Sequence, residues 1–386
     1  MPGDACPICD AARPRHFLSR PSVAVHQNLL APTRADAIGA ARGDLDFAAC
    51  EACGFVFNAA FDPAKLAYGA GYDNNQGHSP FFADYLDALA DRLVNEEGVK
   101  NARIVEVGCG RGDFLRKLVE DPAHGNTGVG FDPAYRGPDH DLGGRLRFER
   151  RYYDASAANV AADVVVCRHV IEHVARPMEL LRAVRAALAG STAPRVFFET
   201  PCVEWILANA VIWDFFYEHC SLFSRQSLRT AFERANFAVR SLEHAFGGQY
   251  LWAEAALGNV AAPERDAGEI VALAERFAKE ERRSREEWSK RVRDLAKSGK
   301  IAIWGAGAKG VTFAQLVDAD CTLVDCLVDL NPNKQGKFTP GTGHPIVGVR
   351  ELAARGVAHA ILMNPNYRAE NEALLARENV AVNLIG

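Results

Sequence analysis

Residues 105–115 read VEVGCGRGDFL, a short apolar strand that ends in an acid and a glycine-rich turn. Glycine permits the tight backbone of such a turn, so that an adenosine-bearing ligand can approach the main chain closely. The helix that follows begins with its N-terminus facing the ligand. This stretch therefore predicts a nucleotide-cofactor pocket to which Glu106, Gly108 and Gly110 contribute.

A second apolar strand ends in an acid at the spacing expected for the same pocket. Residues 128–132 read GVGFD, and Asp132 could accept hydrogen bonds from ribose hydroxyls. The two motifs together resemble motif I and the second-strand acid of class I S-adenosylmethionine (SAM) methyltransferases. A nicotinamide-binding Rossmann unit is the alternative, but its G-x-G-x-x-G fingerprint needs glycine at the position of Asp113. A turn that only packs the fold is the plainer interpretation.

Apolar runs alternate with helical patterns around these motifs. The runs suited to central parallel strands are 104–106, 128–131, 164–167 and 196–198, and those suited to a closing antiparallel pair are 237–242 and 249–254. Ligands bind at the carboxyl edge of such sheets. We therefore assign Arg168 to the cofactor pocket and His169 to contact with cofactor or substrate, a structural histidine being the alternative. Glu172 and His173 are expected to start the next helix and pack locally.

Composition and charge exclude several classes of function. The chain has 386 residues, with 48% hydrophobic and 24% charged side chains, which suggests two or three globular domains. A net charge of -5 gives no basic field for nucleic acid. We find no signal pattern and no stretch near the roughly 20 apolar residues of a membrane span. We expect a cytoplasmic protein without nucleic-acid or membrane partners, and the sequence leaves the oligomeric state open.

Four of the ten cysteines form two C-x-x-C knuckles, Cys6 with Cys9 and Cys50 with Cys53. Each pair can chelate one ion from a tight turn, and Zn²⁺ favours a tetrahedral site of four thiolates. Disulfides are the weaker alternative in a reducing cytoplasm. Because protein fills all four positions, we expect a structural zinc and not a catalytic one.

These features divide the chain into four predicted segments. They are a zinc-binding module (1–60), a SAM-binding methyltransferase domain (61–258), a long connecting helix that opens at Pro263 (259–298) and a C-terminal Rossmann-like substrate-binding domain (299–386). The predicted fold class is α/β, with the doubly wound sheet of a class I methyltransferase between the two smaller units.

The C-terminal unit begins with a second strand and glycine turn. Residues 301–310 read IAIWGAGAKG, which matches G-x-G-x-x-G, and Asp329 ends another apolar strand some two dozen residues later. Taken alone, this pattern predicts NAD. A bifunctional protein that uses NAD in this unit therefore stays an alternative.

The residues that follow favour a different interpretation. Residues 329–336 (DLNPNKQG) and 340–346 (PGTGHPI) resemble the C-terminal domain of the sugar C-methyltransferase family, which acts on nucleotide-linked keto-deoxysugars. The family's order of zinc knuckle, SAM domain and Rossmann-like unit is the order inferred above. Its Tyr-Glu-His tripeptide corresponds to Tyr217, Glu218 and His219.

This resemblance implies that Gly305, Gly307 and Lys309 help to hold a nucleotide-sugar or an equivalent anionic group, since a helix N-terminus with a lysine suits phosphate. A unit that has lost its ligand and only packs is the alternative. The chain departs from the family at residues 74–79 (NNQGHS), where a Ser-Ser pair is usual, and near the C-terminus. There Asn364 and Tyr367 are candidate acceptor contacts in place of a Trp-Asn pair.

The chemistry expected of such a family is methyl transfer to carbon. A carbon next to a ketone becomes a nucleophile when it loses a proton, so a base of near-neutral pKa is needed. We assign this role to His219, with Glu218 and Tyr217 as supporting groups. Tyr68 and Tyr72, in an aromatic and polar run before the cofactor domain, are predicted to close over the pocket, a surface loop being the alternative.

The sequence thus predicts a SAM-dependent C-methyltransferase of secondary metabolism whose acceptor is a small molecule, most simply a nucleotide-linked keto-sugar or a related carbonyl compound. Methylation of another small metabolite at nitrogen, oxygen or carbon is the alternative within the enzyme class. A protein that binds SAM without turnover is the alternative outside it. The tripeptide that ends in His219 argues against this last interpretation.

Overall fold

Three β-sheets follow one another along the chain and set the layout of the molecule. The computed structural model describes residues 5–66, 68, 71–72, 77–258 and 267–386. A four-stranded sheet lies at the N-terminal end, an eight-stranded sheet forms the centre, and a five-stranded sheet belongs to the C-terminal part. The mixed architecture, with helices between the strands of a central and mostly parallel sheet, confirms the predicted α/β class.

An antiparallel meander builds most of the N-terminal sheet. Its elements are β1 (Arg15–Ala24), α1 (Arg34–Ile38), β2 (Arg42–Ala49) and β3 (Val56–Asn58). The fourth strand comes from much later in the chain, because Ser221 pairs with Phe57 in an antiparallel register. The predicted N-terminal module therefore shares its sheet with the segment that directly follows His219.

The central sheet has a parallel middle and antiparallel edges. Its strands are β4 (Arg103–Val107), β5 (Thr127–Phe131), β6 (His140–Asp141), β7 (Leu146–Glu149), β8 (Val164–Arg168), β9 (Arg195–Pro201), β11 (Phe237–Ala245) and β12 (Tyr250–Leu257), whereas β10 (Ser221–Leu222) is the strand in the N-terminal sheet. The order is β11-β12-β9-β8-β4-β5-β7-β6, with the five strands from β9 to β7 parallel. All six apolar runs predicted as strands overlap this sheet, and β11 with β12 forms the predicted closing pair.

Burial on both faces explains why these strands are apolar along their whole length. Val164, Val165, Val166 and Cys167 of β8 are all buried, as expected of a parallel strand covered by helices on both sides. The covering helices are α2 (Pro80–Asp91), α3 (Asp113–Val119), α4 (Pro177–Ala187), α5 (Val203–Ala208) and α6 (Arg225–Arg234). The Ser79 hydroxyl accepts the Phe82 N–H and caps the start of helix α2.

The C-terminal unit is a smaller parallel sheet of the same type. Its elements are β13 (Lys300–Trp304), α8 (Ala308–Val317), β14 (Val324–Val328), β15 (Ile346–Val347), α9 (Glu351–Arg355), β16 (Val357–Leu362), α10 (Arg368–Arg377) and β17 (Asn383–Ile385). The strand order is β15-β14-β13-β16-β17, and every described pairing is parallel. The glycine turn predicted at 305–310 joins β13 to α8.

One long helix, α7 (Ile270–Ala296), links the central and C-terminal units. Its predicted opening residue, Pro263, lies outside the described residues, and the helix ends two residues before the predicted segment does at residue 298. Ile270, Phe277 and Val292 on its apolar stripe are buried. Its remaining faces carry charged side chains, and no described helix has the length and apolar character needed to cross a membrane.

Candidate active site between the central and C-terminal sheets

The turn after β4 has the geometry of a cofactor-binding loop. Gly108 adopts a φ of +68°, and a Cβ at this position would lie 2.1 Å from Val170 Cγ2. The Gly110 N–H donates to Asp132 Oδ2 at 2.9 Å. A Cβ at Gly110 would meet no described atom within 4 Å. The turn is therefore packed against the protein on one side and open to a ligand on the other.

The two predicted cofactor acids have different surroundings. Asp132 also accepts the Ala134 N–H through Oδ1, and burial raises the pKa of its carboxyl despite these two backbone hydrogen bonds. Glu106 is 3% exposed, and Oε2 accepts the Leu115 N–H at 3.1 Å. Burial raises the pKa of Glu106 to about 8, although the Arg168 charge opposes it. Glu106 thus ties β4 to the first turns of α3, whereas Asp132 holds the glycine turn itself.

Arg168, at the end of β8, lies in a buried ion pair beside this turn. Its Nε donates to Glu199 Oε2 at 2.8 Å, and its guanidinium lies 4.6 Å from the centroid of the Phe114 ring. Burial would raise the pKa of Glu199, but the charges of Arg168 and His169 outweigh it and hold that pKa at about 2. Arg168 therefore connects the start of α3 to the end of β9.

His169 lies between two carboxylates. Its Nε2 is 3.4 Å from Glu199 Oε2 and its Nδ1 is 3.4 Å from Glu172 Oε1. Burial would lower the pKa of the imidazole, but the two carboxylates outweigh it and raise the pKa to about 9. The ring packs edge-on against Tyr250 with centroids 4.5 Å apart. His169 is thus a cation at neutral pH, which suits contact with a developing negative charge and not removal of a proton.

A cavity of about 280 Å³ lies between the carboxyl ends of the central and C-terminal strands. Eight residues predicted from sequence as catalytic or substrate-binding line it: Tyr72, His169, His219, Gly305, Gly307, Lys309, Asn364 and Tyr367. They come from parts of the chain nearly 300 residues apart. The structure brings them together because both parallel sheets end on the same cavity.

His219 lies on the wall of this cavity and is half-buried. Its ring packs on Phe216 with centroids 4.0 Å apart and edge-on to His173 at 4.8 Å. Burial lowers the pKa of His219 well below its usual value, and the charges of His173, His169 and Lys309 lower it further. The imidazole is therefore neutral at neutral pH and can accept a proton.

Tyr217 and Glu218 do not line the cavity that His219 faces. The Tyr217 hydroxyl accepts the Asp62 N–H at 2.9 Å and donates to the Asp62 carbonyl at 3.2 Å, and its ring packs against Gly43. The prediction of Tyr217 as a group that supports the base is therefore wrong. The three neighbours lie in an irregular segment before β10, in which successive side chains diverge.

Glu218 is fully buried against the N-terminal module. One carboxylate oxygen lies 3.1 Å from His26 Nδ1 and the other accepts the Gln27 N–H at 2.8 Å. Burial and the neighbouring Glu218 carboxylate together raise the pKa values of Tyr68 and Tyr72. Of these residues only Tyr72 lines the cavity, and Glu218 itself does not.

Tyr68 and His173 form a link that the sequence did not predict. The Tyr68 hydroxyl lies 3.1 Å from His173 Nδ1. The ligating atoms of Glu172, His173 and His219 all lie within 4.8 Å of one another. The expectation that Glu172 and His173 start the next helix is wrong, because they form a separate 3-10 turn on the cavity wall and α4 begins at Pro177. Their position directly after β8 was the available signal.

The glycine turn of the C-terminal unit forms the opposite wall. A Cβ at Gly310 would lie 1.8 Å from the Gly305 carbonyl oxygen, so only glycine allows this close approach of α8 to β13. Cβ atoms at Gly305 and Gly307 would meet no described atom within 4 Å. Within the described residues, no side chain caps the start of α8 after Gly307. The free N–H groups of that helix end are therefore available to a ligand.

Two lysines stand beside this turn. Lys309 Nζ donates to Asp214 Oδ2 at 2.7 Å. Lys334, which the sequence analysis did not assign to the site, is 4% exposed and donates to Asn28 Oδ1 at 3.2 Å and to the Ala306 carbonyl at 3.1 Å. Both lysines line the cavity. Lys334 could have been found from its place in the NPNKQG string shortly after β14.

Asn364 and Tyr367 close the cavity between the two sheets. The Asn364 side chain exchanges two hydrogen bonds with Gln249, at 3.0 and 3.1 Å. The Tyr367 ring packs against Phe81 and Phe246. Among the residues at which the sequence differs from the sugar C-methyltransferase pattern, 74–76 lie outside the described residues.

Two family descriptions match successive parts of the chain. Residues 78–242 match the family described as Methyltransferase domain, and residues 251–379 match the family described as C-methyltransferase C-terminal domain. The chain is a SAM-dependent methyltransferase. The first match contains the turn at Gly108 and the acid Asp132, and the second contains the turn at Gly305.

Several solved structures are similar to a little under half of this methyltransferase. The 1,6-didemethyltoxoflavin-N1-methyltransferase of Burkholderia thailandensis is 14% identical over 47% of this chain and 82% of its own, with a TM-score of 0.36. An O-methyltransferase family protein of the same organism is 21% identical over 47% and 62%, with a TM-score of 0.35. Magnesium protoporphyrin IX methyltransferase of Synechocystis is 13% identical over 46% and 84%, with a TM-score of 0.35. The comparison with curated proteins returned no match.

The four predicted zinc ligands of the methyltransferase form a cluster away from the cavity. Their sulfur atoms lie within 4.8 Å of one another, with Cys6 and Cys53 at 3.6 Å and Cys9 and Cys50 at 3.5 Å. A tetrahedral zinc with bonds of about 2.3 Å separates its sulfurs by about 3.8 Å. All four thiols are buried and none is in a disulfide. The donor set and spacing therefore fit zinc.

Proposed function

We propose that this methyltransferase transfers a methyl group from SAM to a carbon beside a carbonyl group of a nucleotide-linked keto-sugar or a related metabolite. The observation that carries the proposal is a neutral His219 on one wall of the cavity, with a glycine turn and two lysines on the opposite wall. The family description that residues 251–379 match, C-methyltransferase C-terminal domain, supports transfer to carbon.

The methyl donor would lie at the carboxyl end of β4, with Asp132 accepting from its ribose hydroxyls. SAM supplies a methyl group on a positively charged sulfonium. Burial raises the pKa of Glu106 to about 8. A nearby cation would lower that pKa, because positive charge stabilises the ionised carboxylate. Gly110, whose Cβ position is open, allows the ligand to approach the main chain.

His219 would remove the proton that makes the acceptor carbon nucleophilic. The C–H bond breaks, the proton goes to the imidazole nitrogen, and the electron pair is shared with the carbonyl oxygen as an enolate. His169, held as a cation by Glu199, can stabilise negative charge on that oxygen. The Tyr68 hydroxyl keeps His173 oriented beside His219. The enolate carbon would then take the methyl group as the carbon–sulfur bond to it breaks, which would turn the sulfonium into a neutral thioether.

The acceptor's phosphates would lie at the N-terminal end of α8. Free backbone N–H groups at a helix start favour phosphate, and the lysine charges add to this preference. Lys309 keeps Asp214 as its partner and Lys334 is already fixed by Asn28, so both are positioned before the ligand arrives. Asp329 accepts the Ala306 N–H within the same turn, an arrangement that also suits a dinucleotide.

A ligand screen shows whether the turn before α8 binds a nucleotide-linked acceptor or a dinucleotide such as NAD. We expect a nucleoside diphosphate to protect the C-terminal unit in a thermal-shift assay and NAD to have little effect. Micromolar NAD binding that Gly307→Val abolishes would reverse the assignment.

We also propose that Cys6, Cys9, Cys50 and Cys53 hold one structural zinc. The site lies in the N-terminal module and does not line the cavity. Such a metal stabilises a small unit that buries little core of its own. It would contribute to folding and not to the transfer step.

The test of the proposed base is His219→Ala assayed in deuterated water. Wild-type enzyme should exchange the acceptor's proton with solvent, provided deprotonation occurs without SAM, and the variant should lose exchange and methyl transfer together. Loss of a general base costs about 10²–10⁴ in rate. SAM affinity should stay unchanged, and His140→Ala, an exposed histidine on β6, is the matched control. Near-normal turnover in His219→Ala, or a product methylated at oxygen or nitrogen, would contradict the mechanism.

A further inference from the structure

A second cavity, of about 190 Å³, lies behind the acceptor cavity where β1, α7 and α8 meet. Three arginines line it: Arg20 on β1, Arg42 on β2 and Arg285 on α7. Among the described residues that line it there is no carboxylate. We propose that this cavity binds a phosphate-type oxyanion, and that the bound anion fixes the segment that carries His219.

The arginines are held in place and are not neutralised. Arg42 donates to the carbonyls of Ser22 and Gly341, each at 2.8 Å, and Arg285 donates to the Leu316 carbonyl at 3.3 Å. Within the described ranges, neither arginine takes part in an ion pair. Both side chains are exposed, and backbone carbonyls orient a guanidinium but leave its full charge, so two positive charges at this cavity have no counterion among the described residues.

Arg20 adds a third, buried cation. It is 5% exposed, binds Glu281 at 2.8 Å, and donates to the Phe215 carbonyl at 3.2 Å. Burial lowers the pKa of Arg20 and the nearby Arg285 charge lowers it further, although Glu281 opposes both. Glu281 compensates one of the three arginines, which leaves the excess of positive charge that an oxyanion with two negative charges would balance.

Two buried polar atoms on the cavity wall also lack partners. Thr312 Oγ1 and Gln27 Oε1 have no hydrogen-bond partner in the part of the chain that the structure describes. Their residues are 6% and 1% exposed and both line the cavity. An unpaired buried polar group is costly, so such atoms mark a place for a ligand or water. A threonine hydroxyl can donate to a phosphate oxygen, and an amide oxygen can accept from a protonated one.

The wall of this cavity is shared with the active site. Phe216 lines both cavities, and its ring lies 4.0 Å from that of His219. The Gln27 side chain lines the second cavity, while its N–H donates to Glu218. An anion bound to Arg20 would therefore lie against residues 215–219 on the side opposite the active-site cavity.

The binding test is a calorimetric titration of the full chain with inorganic phosphate at constant ionic strength. We expect wild-type enzyme to bind phosphate, and Arg42→Gln or Arg285→Gln to weaken binding about tenfold or more, because each removes a charged donor. Arg282→Gln, an exposed α7 residue outside the cavity lining, removes the same charge and should leave binding unchanged. Absence of phosphate binding to wild type, or an equal loss in Arg282→Gln, would overturn the site.

Hydrogen exchange tests the coupling, and competition identifies the source of the phosphate. Phosphate should slow amide exchange in residues 212–220 of wild type but not of Arg285→Gln. Binding without this protection would overturn the coupling.

A separate site should bind phosphate while a nucleoside diphosphate occupies the acceptor cavity. Mutual exclusion of the two would instead show that these arginines belong to the acceptor site, which refutes a separate anion site.

Discussion

Replacement of Glu199 by Gln tests the charge arrangement around His169. The Glu199 carboxylate is fully buried and lies 2.8 Å from Arg168 and 3.4 Å from His169, and it also accepts the Tyr85 hydroxyl. The change to Gln keeps the side-chain size but removes the negative charge. We expect His169 to lose its proton at neutral pH, because burial then acts on the imidazole with one carboxylate fewer to oppose it.

The magnitude follows from the pKa values of the pair. The pKa of His169 is about 9 against an ordinary 6.5, a difference worth about 3 kcal/mol in favour of the protonated ring. A raised histidine pKa gives stability that is complete below about pH 6.5 and is lost as the pH rises through about 9. The lowered pKa of Glu199 gives stability that is complete above about pH 4.5 and is lost as the pH falls through about 2. The Glu199→Gln variant should lack both of these pH dependences of stability.

Histidine ring resonances followed by NMR between pH 5 and pH 10 measure the effect directly. The chain has 11 histidines, so the His169 signal is assigned by its absence in His169→Gln. We expect its pKa to fall from about 9 by about 2 or more in Glu199→Gln. Tyr85→Phe, which keeps the carboxylate, and Glu179→Gln on the surface of α4 should leave it high. Titration near 6.5 in wild type, or near 9 in Glu199→Gln, would refute the reasoning.

Three further changes test other parts of the molecule. Asp132→Ala should weaken SAM binding by about 1–3 kcal/mol through lost hydrogen bonds to a charged acceptor, as measured by calorimetry; unchanged affinity would remove Asp132 from the pocket. Cys50→Ser should lower both the zinc content found by elemental analysis and the melting temperature, whereas a fully folded, metal-free wild type would contradict the zinc site. Gly310→Ala forces a Cβ to 1.8 Å from the Gly305 oxygen and should destabilise the C-terminal unit by about 1–3 kcal/mol or more in hydrogen exchange. Gly190→Ala, with open space around it, is the control.

Local signals in the sequence were sufficient to predict the glycine turn and the acid of the proposed cofactor site. The turn at Gly108 and the acid at Asp132 each depend on a few consecutive residues: an apolar strand, glycines and a carboxylate. Because parallel strands place their carboxyl ends at one edge, finding two strands was enough to bring the turn and the acid together. The observed hydrogen bond between Gly110 and Asp132 has this origin. The same reasoning found the turn at Gly305.

Side-chain direction in the irregular segment could not be predicted in this way. Tyr217, Glu218 and His219 are consecutive, yet one contacts Asp62, one binds the N-terminal module and one faces the cavity. No period of 2 or 3.6 applies to such a segment, so its directions are set by partners far away in sequence. The contact of Lys334 with Asn28 could not be predicted for the same reason, because the two residues are some 300 positions apart in the sequence.

These distant partners give the N-terminal module a role beyond its own stability. β10 pairs with β3 of that module, so the strand that directly follows the His219 segment is fixed by the module's sheet. Two further contacts, of the Tyr217 ring with Gly43 and of Glu218 with Gln27, attach the same few residues to the module. A base, the role proposed for His219, must be held close to its working geometry to be effective. Loss of the cysteine cluster would therefore release the segment that positions His219, although no cysteine of that cluster lines the cavity.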